Sequence, residues 1–120
     1  MVHRPTIQAE LLAWECKCKR SGDCLSMFKE TDNLMGFAVD TILAMRQKAC
    51  GYASHSVRAY IRDCLSSLLR KTPSTLQYVV AGVQTCKATW NWAHGFATVT
   101  SNRVHAEFNQ WWRTANVQQT

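Results

Sequence analysis

Long apolar runs and a secretory leader are what this sequence most plainly lacks. Its 120 residues contain no run of about 18 apolar residues, the length that a membrane-spanning helix requires. Residues 1–15 carry Arg4, Glu10 and Glu15 where a secretory signal would need an uninterrupted apolar segment of roughly 7–15 residues. We therefore expect one domain over residues 1–120 that works in the cytosol and has no membrane partner.

Motifs for catalysis are also missing. The sequence has no P-loop, no dinucleotide-binding glycine pattern, no Ser-His-Asp order and no paired-carboxylate motif. His105-Ala106-Glu107 matches the first half of the zinc deaminase pattern, but the Pro-Cys-x-x-Cys half does not follow. We expect a protein that is not an enzyme and takes no small-molecule substrate.

Acidic residues are scarce in the middle of the chain. Between Leu34 and Ala106 there are eight Lys and Arg residues against Asp40 and Asp63, a net charge of +6. A basic centre on a small domain favours an anionic partner, with nucleic acid first and an acidic protein surface or anionic lipid after it. The alternative is a surplus of charge that only keeps the protein soluble.

Helical periodicity runs through most of the sequence and predicts an all-α fold, a small bundle of four to five helices. The expected parts are a zinc-cluster loop at 15–24, a helical core at 33–113 and a frayed tail at 114–120. The clearest helix is predicted from His55 to about Lys71, with its apolar residues at a spacing of three to four. Residues 75–93 are ambiguous, because Tyr78-Val79-Val80 favours a strand. The apolar residues there keep a helical period over more turns, so a helix is predicted.

Cysteine is the residue type that this chain has in quantity. Three of its six cysteines fall close together as Cys16-x-Cys18-x5-Cys24, with Gly22 to let the backbone turn. Thiolates held close together in a turn are suitable zinc ligands. The neighbouring cations would stabilise those thiolates; they are Lys17, Lys19 and Arg20. The pattern therefore predicts structural zinc, although the paired C-x-x-C motif of many zinc sites is absent.

A fourth zinc ligand must come from elsewhere in the chain. Cys50 and His55 flank the Gly51 turn and are the candidates, but a helix over residues 33–48 would separate them from the cluster by about 24 Å. A separate site of Cys50, His55 and His94 is the alternative. Cys64 and Cys86 lie on apolar faces and are predicted to be small buried residues, unless all six cysteines form disulfides.

Two groups of residues are candidates for binding RNA. One is a row of cations at four-residue spacing on the third helix, and the other is a pair of adjacent tryptophans. Arginine forks suit phosphates, and an exposed indole can stack on a base. The alternatives are a solvated helix face for the row, and a core or dimer interface for the tryptophans. The residues of these two groups are Arg58, Arg62, Arg70, Lys71, Trp111 and Trp112. The cations of the cysteine loop are further candidates for RNA binding; they are Lys17, Lys19 and Arg20.

The sequence resembles the small cysteine-rich proteins of plant RNA viruses, most closely those of the benyviruses. The similarity lies in the early Cys16-x-Cys18…Cys24 cluster, the Cys50-Gly51…His55 element, the basic centre and the aromatic end at residues 108–113. In related proteins the second element is Cys-Gly-x-x-His, one residue shorter than here. The resemblance implies a zinc-binding, dimeric suppressor of host RNA silencing in the cytoplasm and nucleolus, which binds RNA or a host silencing factor.

Two other functions stay open at the level of sequence. The spacing of Cys50, Cys64 and Cys86 is loosely similar to that of stanniocalcin-like hormones, which predicts a secreted helical factor with disulfides. A cytosolic adaptor whose basic face meets acidic proteins is the other alternative.

Overall fold

A computed structural model describes residues 3–16, 24–52, 54–72 and 75–117. Five α-helices account for most of this chain: α1 Arg4–Ala13, α2 Asp32–Cys50, α3 Ser54–Ser66, α4 Lys87–His94 and α5 Thr98–Val117. A single 3₁₀ turn, Ser26–Lys29, precedes α2. The mostly helical class that periodicity predicts is confirmed. None of the helices in the described ranges has the length and apolar character needed to cross a bilayer.

Two short antiparallel hairpins between α3 and α4 were not predicted. Strand β1 (Arg70–Thr72) pairs with β2 (Thr75–Leu76), and β3 (Tyr78–Val80) pairs with β4 (Val83–Thr85). The predicted helix over 75–93 is therefore wrong up to Cys86. Ala81 and Gly82 have φ angles of 50° and 81°, which fit a two-residue type I′ turn and end any helical path there.

The third helix is shorter than predicted. It ends at Ser66, and Arg70 and Lys71 lie in strand β1 instead of on the helix. The predicted row of cations on one helix face is thus wrong beyond Ser66. The β-branched residues of the following segment pair as strands, and this tertiary pairing overrides a pattern that is locally compatible with a helix.

Local capping signals set the start of α2 and the end of α4. Thr31 caps α2, and its hydroxyl accepts a hydrogen bond from the Leu34 amide at 3.1 Å. Gly95 terminates α4 with a left-handed φ of 76°. The amides of Gly95 and Phe96 bond back to Trp92 and Asn91, the Schellman pattern, which turns the chain sharply into α5.

One apolar core holds these elements together. Helix α1 packs on α2, α2 on α4, and α3 on α5, while β3 contacts α4. Trp90 of α4 is buried at the centre, with Ile7 and Leu11 from α1, Ile42 from α2 and Ile61 from α3 around the same core. Helix α4 therefore lies between the N-terminal helices and α5, and the residues at its first turn are placed next to the segment that follows α1.

Candidate metal centre and basic groove

Three cysteine sulfurs meet at the start of α4. The sulfurs of Cys16, Cys24 and Cys86 all lie within 4.8 Å of one another, and each residue is half-buried. In a tetrahedral zinc site with bonds of about 2.3 Å the sulfurs are roughly 3.8 Å apart. Small side-chain movements would therefore close this arrangement, which we call the cysteine cluster, around one ion.

Hydrogen bonds to the sulfurs support a role as ligands. The Cys24 amide donates to the Cys16 sulfur at 3.3 Å. Thr89 is fully buried, and its hydroxyl lies 3.2 Å from the Cys86 sulfur. The Thr89 oxygen also accepts the Trp14 indole N–H at 3.0 Å, and its hydroxyl hydrogen would serve as the donor to a Cys86 thiolate. Such outer contacts orient ligands and stabilise thiolates.

Cys86 owes its place in the cluster to tertiary structure. It is the N-cap residue of α4, where the positive end of the helix dipole favours a negatively charged metal–thiolate group. We expected a small buried residue at this position, because its apolar spacing suggested the middle of a helix. The β3–β4 hairpin shifts the start of the helix to Lys87 and so turns the thiol toward the N-terminal loop.

The structure places the other predicted ligands differently. Cys50 is exposed at the far end of α2, where it lines a cavity with Arg46 and His94, and it does not join the cysteine cluster. Cys18 and the cations Lys17, Lys19 and Arg20 lie outside the described residues. The backbone of His55 lies in α3, but its side chain is also outside the description. Cys64 is half-buried on α3, and burial raises the pKa of its thiol.

The side chain of Trp14 connects the cluster to a second network. Its ring stacks on Trp92 with centroids 4.8 Å apart and an interplanar angle of 17°. The Arg46 guanidinium lies over the same Trp92 ring, 5.0 Å from its centre, and also bonds the Trp92 carbonyl. Both oxygens of the Glu10 carboxylate accept from Arg46, and one also accepts from the Trp92 indole. These hydrogen bonds, that from Arg46 above all, hold the pKa of Glu10 below its usual value.

Four of the predicted RNA-binding residues lie on α3 and α5, which pack on each other; they are Arg58, Arg62, Trp111 and Trp112. Arg58 donates to one oxygen of the Glu107 carboxylate at 2.7 Å, and Arg62 approaches the other at 3.5 Å. Beside them a cavity of about 320 Å³ is open between the helices. We call this surface the α3–α5 groove; its residues are Arg58, Arg62, Asp63, Ser66, Glu107, Phe108 and Trp111.

The two adjacent tryptophans differ in exposure, as their positions on a helix predict. Adjacent positions on a helix point about 100° apart, so the two rings cannot share one small core. Trp111 is 62% exposed at the edge of the groove, with its ring centre 5.7 Å from that of Phe108. Trp112 is half-buried. The side chains of Arg70 and Lys71 are outside the description, so the groove has two described arginines rather than a row of four cations.

Two histidines are buried around α4. His94 lies at the C-terminal end of α4 and faces α2 and α3, and His105 of α5 lies near Trp90 and near Tyr78 of β3. Burial lowers the pKa of His94 to about 4, and its ring stacks on Phe96 with centroids 4.7 Å apart. Burial also lowers the pKa of His105, whose Nδ1 bonds the Ser101 carbonyl at 2.7 Å. Both are therefore neutral near pH 7, and neither is positioned with the cysteine cluster.

Neither family models, curated proteins nor solved structures match this chain. The cysteine cluster and the charged surfaces therefore have to carry the functional argument on their own chemistry.

Proposed function

We propose that this protein is a zinc-stabilised RNA-binding protein. The observation that carries the metal half of the proposal is the convergence of Cys16 and Cys24 with Cys86 from a distant part of the chain. Soft thiolates select zinc over magnesium or calcium. Cys18 is the candidate for the fourth ligand, because it lies in the short segment between Cys16 and Cys24.

The metal half is tested by measuring zinc content and reactive thiols on protein purified without chelator. We expect about one zinc per chain in the parent protein and a loss of most of it in Cys86→Ser. Cys50→Ser is the matched control, since Cys50 is exposed and outside the cluster. Equal zinc content in the two variants would contradict the assignment, and an absence of both metal and free thiols would favour the secreted disulfide factor.

The RNA half depends on the α3–α5 groove. Trp111 offers an exposed ring for base stacking, which is worth about 1–3 kcal/mol per base. Arg62 lines the same cavity as Trp111, and Arg58 joins it through the shared Glu107 carboxylate. Glu107 holds the two guanidiniums in place but also neutralises one of their charges. An RNA phosphate would therefore have to replace the Glu107 carboxylate as the partner of the two guanidiniums. The planar guanidinium can bind a phosphate in the same two-bonded geometry as a carboxylate.

The RNA half is tested by the salt dependence of RNA binding. Arg58→Ala with Arg62→Ala should weaken binding about tenfold or more and reduce the slope against salt by about 2, because each phosphate contact contributes about 0.9. Arg4→Ala with Lys48→Ala removes the same charge outside the groove and serves as the control. Equal loss in both double variants would leave only a general effect of net charge, and binding to an acidic protein without RNA binding would favour the adaptor.

The resemblance to cysteine-rich proteins of benyviruses extends this proposal to a biological role. A protein of that kind would bind RNA, or a host silencing factor, and suppress host RNA silencing as a homodimer in the cytoplasm and nucleolus. The test is a silencing reporter assay in plant cells with the parent chain and the Arg58/Arg62 double variant. Suppression by the parent that the double variant loses would support the role, and no suppression by the parent would reject it.

A further inference from the structure

A second cavity lies beside α4, on the side of α5 opposite to the groove. Asn102 lines this cavity, whereas Trp111 lines the groove. These two positions of α5 are nine residues apart, so they are separated by about 14 Å along the helix axis and lie on opposite faces of the helix. The cavity has a volume of about 570 Å³, within the range of small-molecule sites, roughly 300–1,000 Å³. We call it the α4 cavity. The two sites can therefore be altered separately by mutation.

Lys87 gives the α4 cavity its positive charge. Lys87 is a half-buried residue at the first position of α4 and lines the cavity. Among the residues that the structure describes, no carboxylate pairs with Lys87, and no acidic residue lines the cavity. A partly desolvated cation in such a position is complementary to an anionic ligand.

The remaining walls favour a planar ligand with hydrogen-bond acceptors. Trp14 and Trp92 contribute aromatic surface to the cavity. Arg46 lies over Trp92, whereas no cation of the described residues lies over Trp14. Asn91 accepts from Ser101 through its carbonyl oxygen. Asn91 and Asn102 both line the cavity and bring side-chain amides to its wall.

We propose that the α4 cavity binds a nucleotide, with the base against the Trp14 indole and the phosphate on the Lys87 ammonium. A nucleotide combines the three features that the walls select: a flat ring for stacking, acceptors for an amide and a phosphate anion. The source of that nucleotide is either a free mononucleotide or the phosphorylated end of an RNA strand. The second source rests on the proposed RNA-binding function.

The cavity is also connected to the cysteine cluster. Trp14 is fixed by its hydrogen bond to Thr89, whose hydroxyl contacts Cys86, and its carbonyl accepts from Lys29 at 3.0 Å. Lys87 follows Cys86 directly in the chain. Metal binding therefore orders one wall and the charged residue of the cavity together, and metal removal should weaken nucleotide binding.

Isothermal titration of the zinc-loaded protein with guanosine 5′-monophosphate, with guanosine as the ligand without phosphate, tests the proposal. We expect the nucleotide to bind about tenfold or more tightly than the nucleoside, because a charge-assisted contact is added. Lys87→Met should abolish this difference, whereas Lys48→Met, which removes a cation elsewhere, should preserve it. Equal binding of both ligands, no binding of either, or an unchanged difference in Lys87→Met would overturn the proposal.

Three further measurements separate the related explanations. A loss of zinc in Lys87→Met would mean that this cation serves the metal centre, and the nucleotide site would be rejected. If a 5′-phosphorylated RNA binds more strongly than its 5′-hydroxyl form and Lys87→Met removes the difference, the cavity binds the end of an RNA strand. If the two RNAs bind equally, the ligand of the cavity is a free nucleotide. The Arg58/Arg62 double variant should lose RNA binding and keep the mononucleotide, so failure of the groove and failure of the cavity are distinguishable.

Discussion

The α3–α5 groove and the α4 cavity both place a tryptophan beside basic side chains, but they handle charge in opposite ways. In the groove, Arg58 and Arg62 share the Glu107 carboxylate and stay solvated. In the cavity, Lys87 is half-buried and has no carboxylate partner among the described residues. Exposed ion pairs contribute little to stability, commonly below about 1 kcal/mol, so the groove can exchange partners at low cost.

The same comparison separates a rigid region from an adaptable one. The Trp14–Trp92 stack that lines the cavity is linked by half-buried hydrogen bonds to the cysteine cluster through Thr89 and to the Glu10–Arg46 ion pair. The groove depends on two exposed arginines and an exposed ring. We therefore expect perturbations of the metal to affect the cavity strongly and the groove weakly.

Removal of the metal should give the largest difference between the two regions. With free zinc at a thousand times its Kd, binding stabilises the folded state by about 4 kcal/mol. Chelation should therefore lower the unfolding temperature and reduce the hydrogen-exchange protection of α1 and α4 more than that of α3 and α5. Equal loss of protection in all four helices would show one cooperative unit and break the comparison.

Acid should destabilise the region around α4 next. Because the pKa of His94 is about 4 in the folded protein and 6.5 ordinarily, the unfolded chain binds a proton in this interval that the folded chain does not. The free energy of unfolding should therefore fall as the pH decreases from about 6.5 to 4, by on the order of 3 kcal/mol for the full shift. The lowered pKa of His105 acts in the same direction.

Urea unfolding between pH 7.5 and 4.5 measures this dependence. His94→Phe keeps the ring contact with Phe96 and removes the titrating group, so its stability should fall less over the same interval. The two proteins are compared at equal zinc content, because protons also compete for thiolate ligands. Parallel pH profiles for parent and variant would contradict the role of the buried imidazole.

The smallest expected effect concerns the carboxylate in the groove. Glu107→Gln should leave the fold intact and release both arginines, so RNA affinity should rise about threefold, with a salt slope steeper by about 1. Asp40→Asn makes the same charge change by releasing Arg4 on the α1–α2 surface, and it is the control. If the two variants gain equal affinity, the groove has no special share in RNA binding.

How far the sequence could predict the fold depended on how local each signal was. The helix predicted from His55 follows from neighbouring residues, and α3 begins at Ser54 in the structure. The end of α4 at Gly95 and the different directions of Trp111 and Trp112 are equally local properties. The hairpins could not be found in the same way, because Ala81-Gly82 is a weak turn signal and helical spacing continues through it. Because of this error Cys86 was predicted to lie inside a helix, whereas the structure places it at the start of α4.

The sequence by itself determined a mostly helical chain, a basic centre and a cluster of thiols near the N-terminus, because composition, periodicity and short spacings are local properties. The tertiary structure alone decided that Cys86 completes the cysteine cluster, that Glu107 neutralises part of the arginine pair and that Lys87 is left with no described carboxylate partner. Each of these depends on contacts between residues far apart in the chain, and only the packing of the helices around Trp90 brings those residues together.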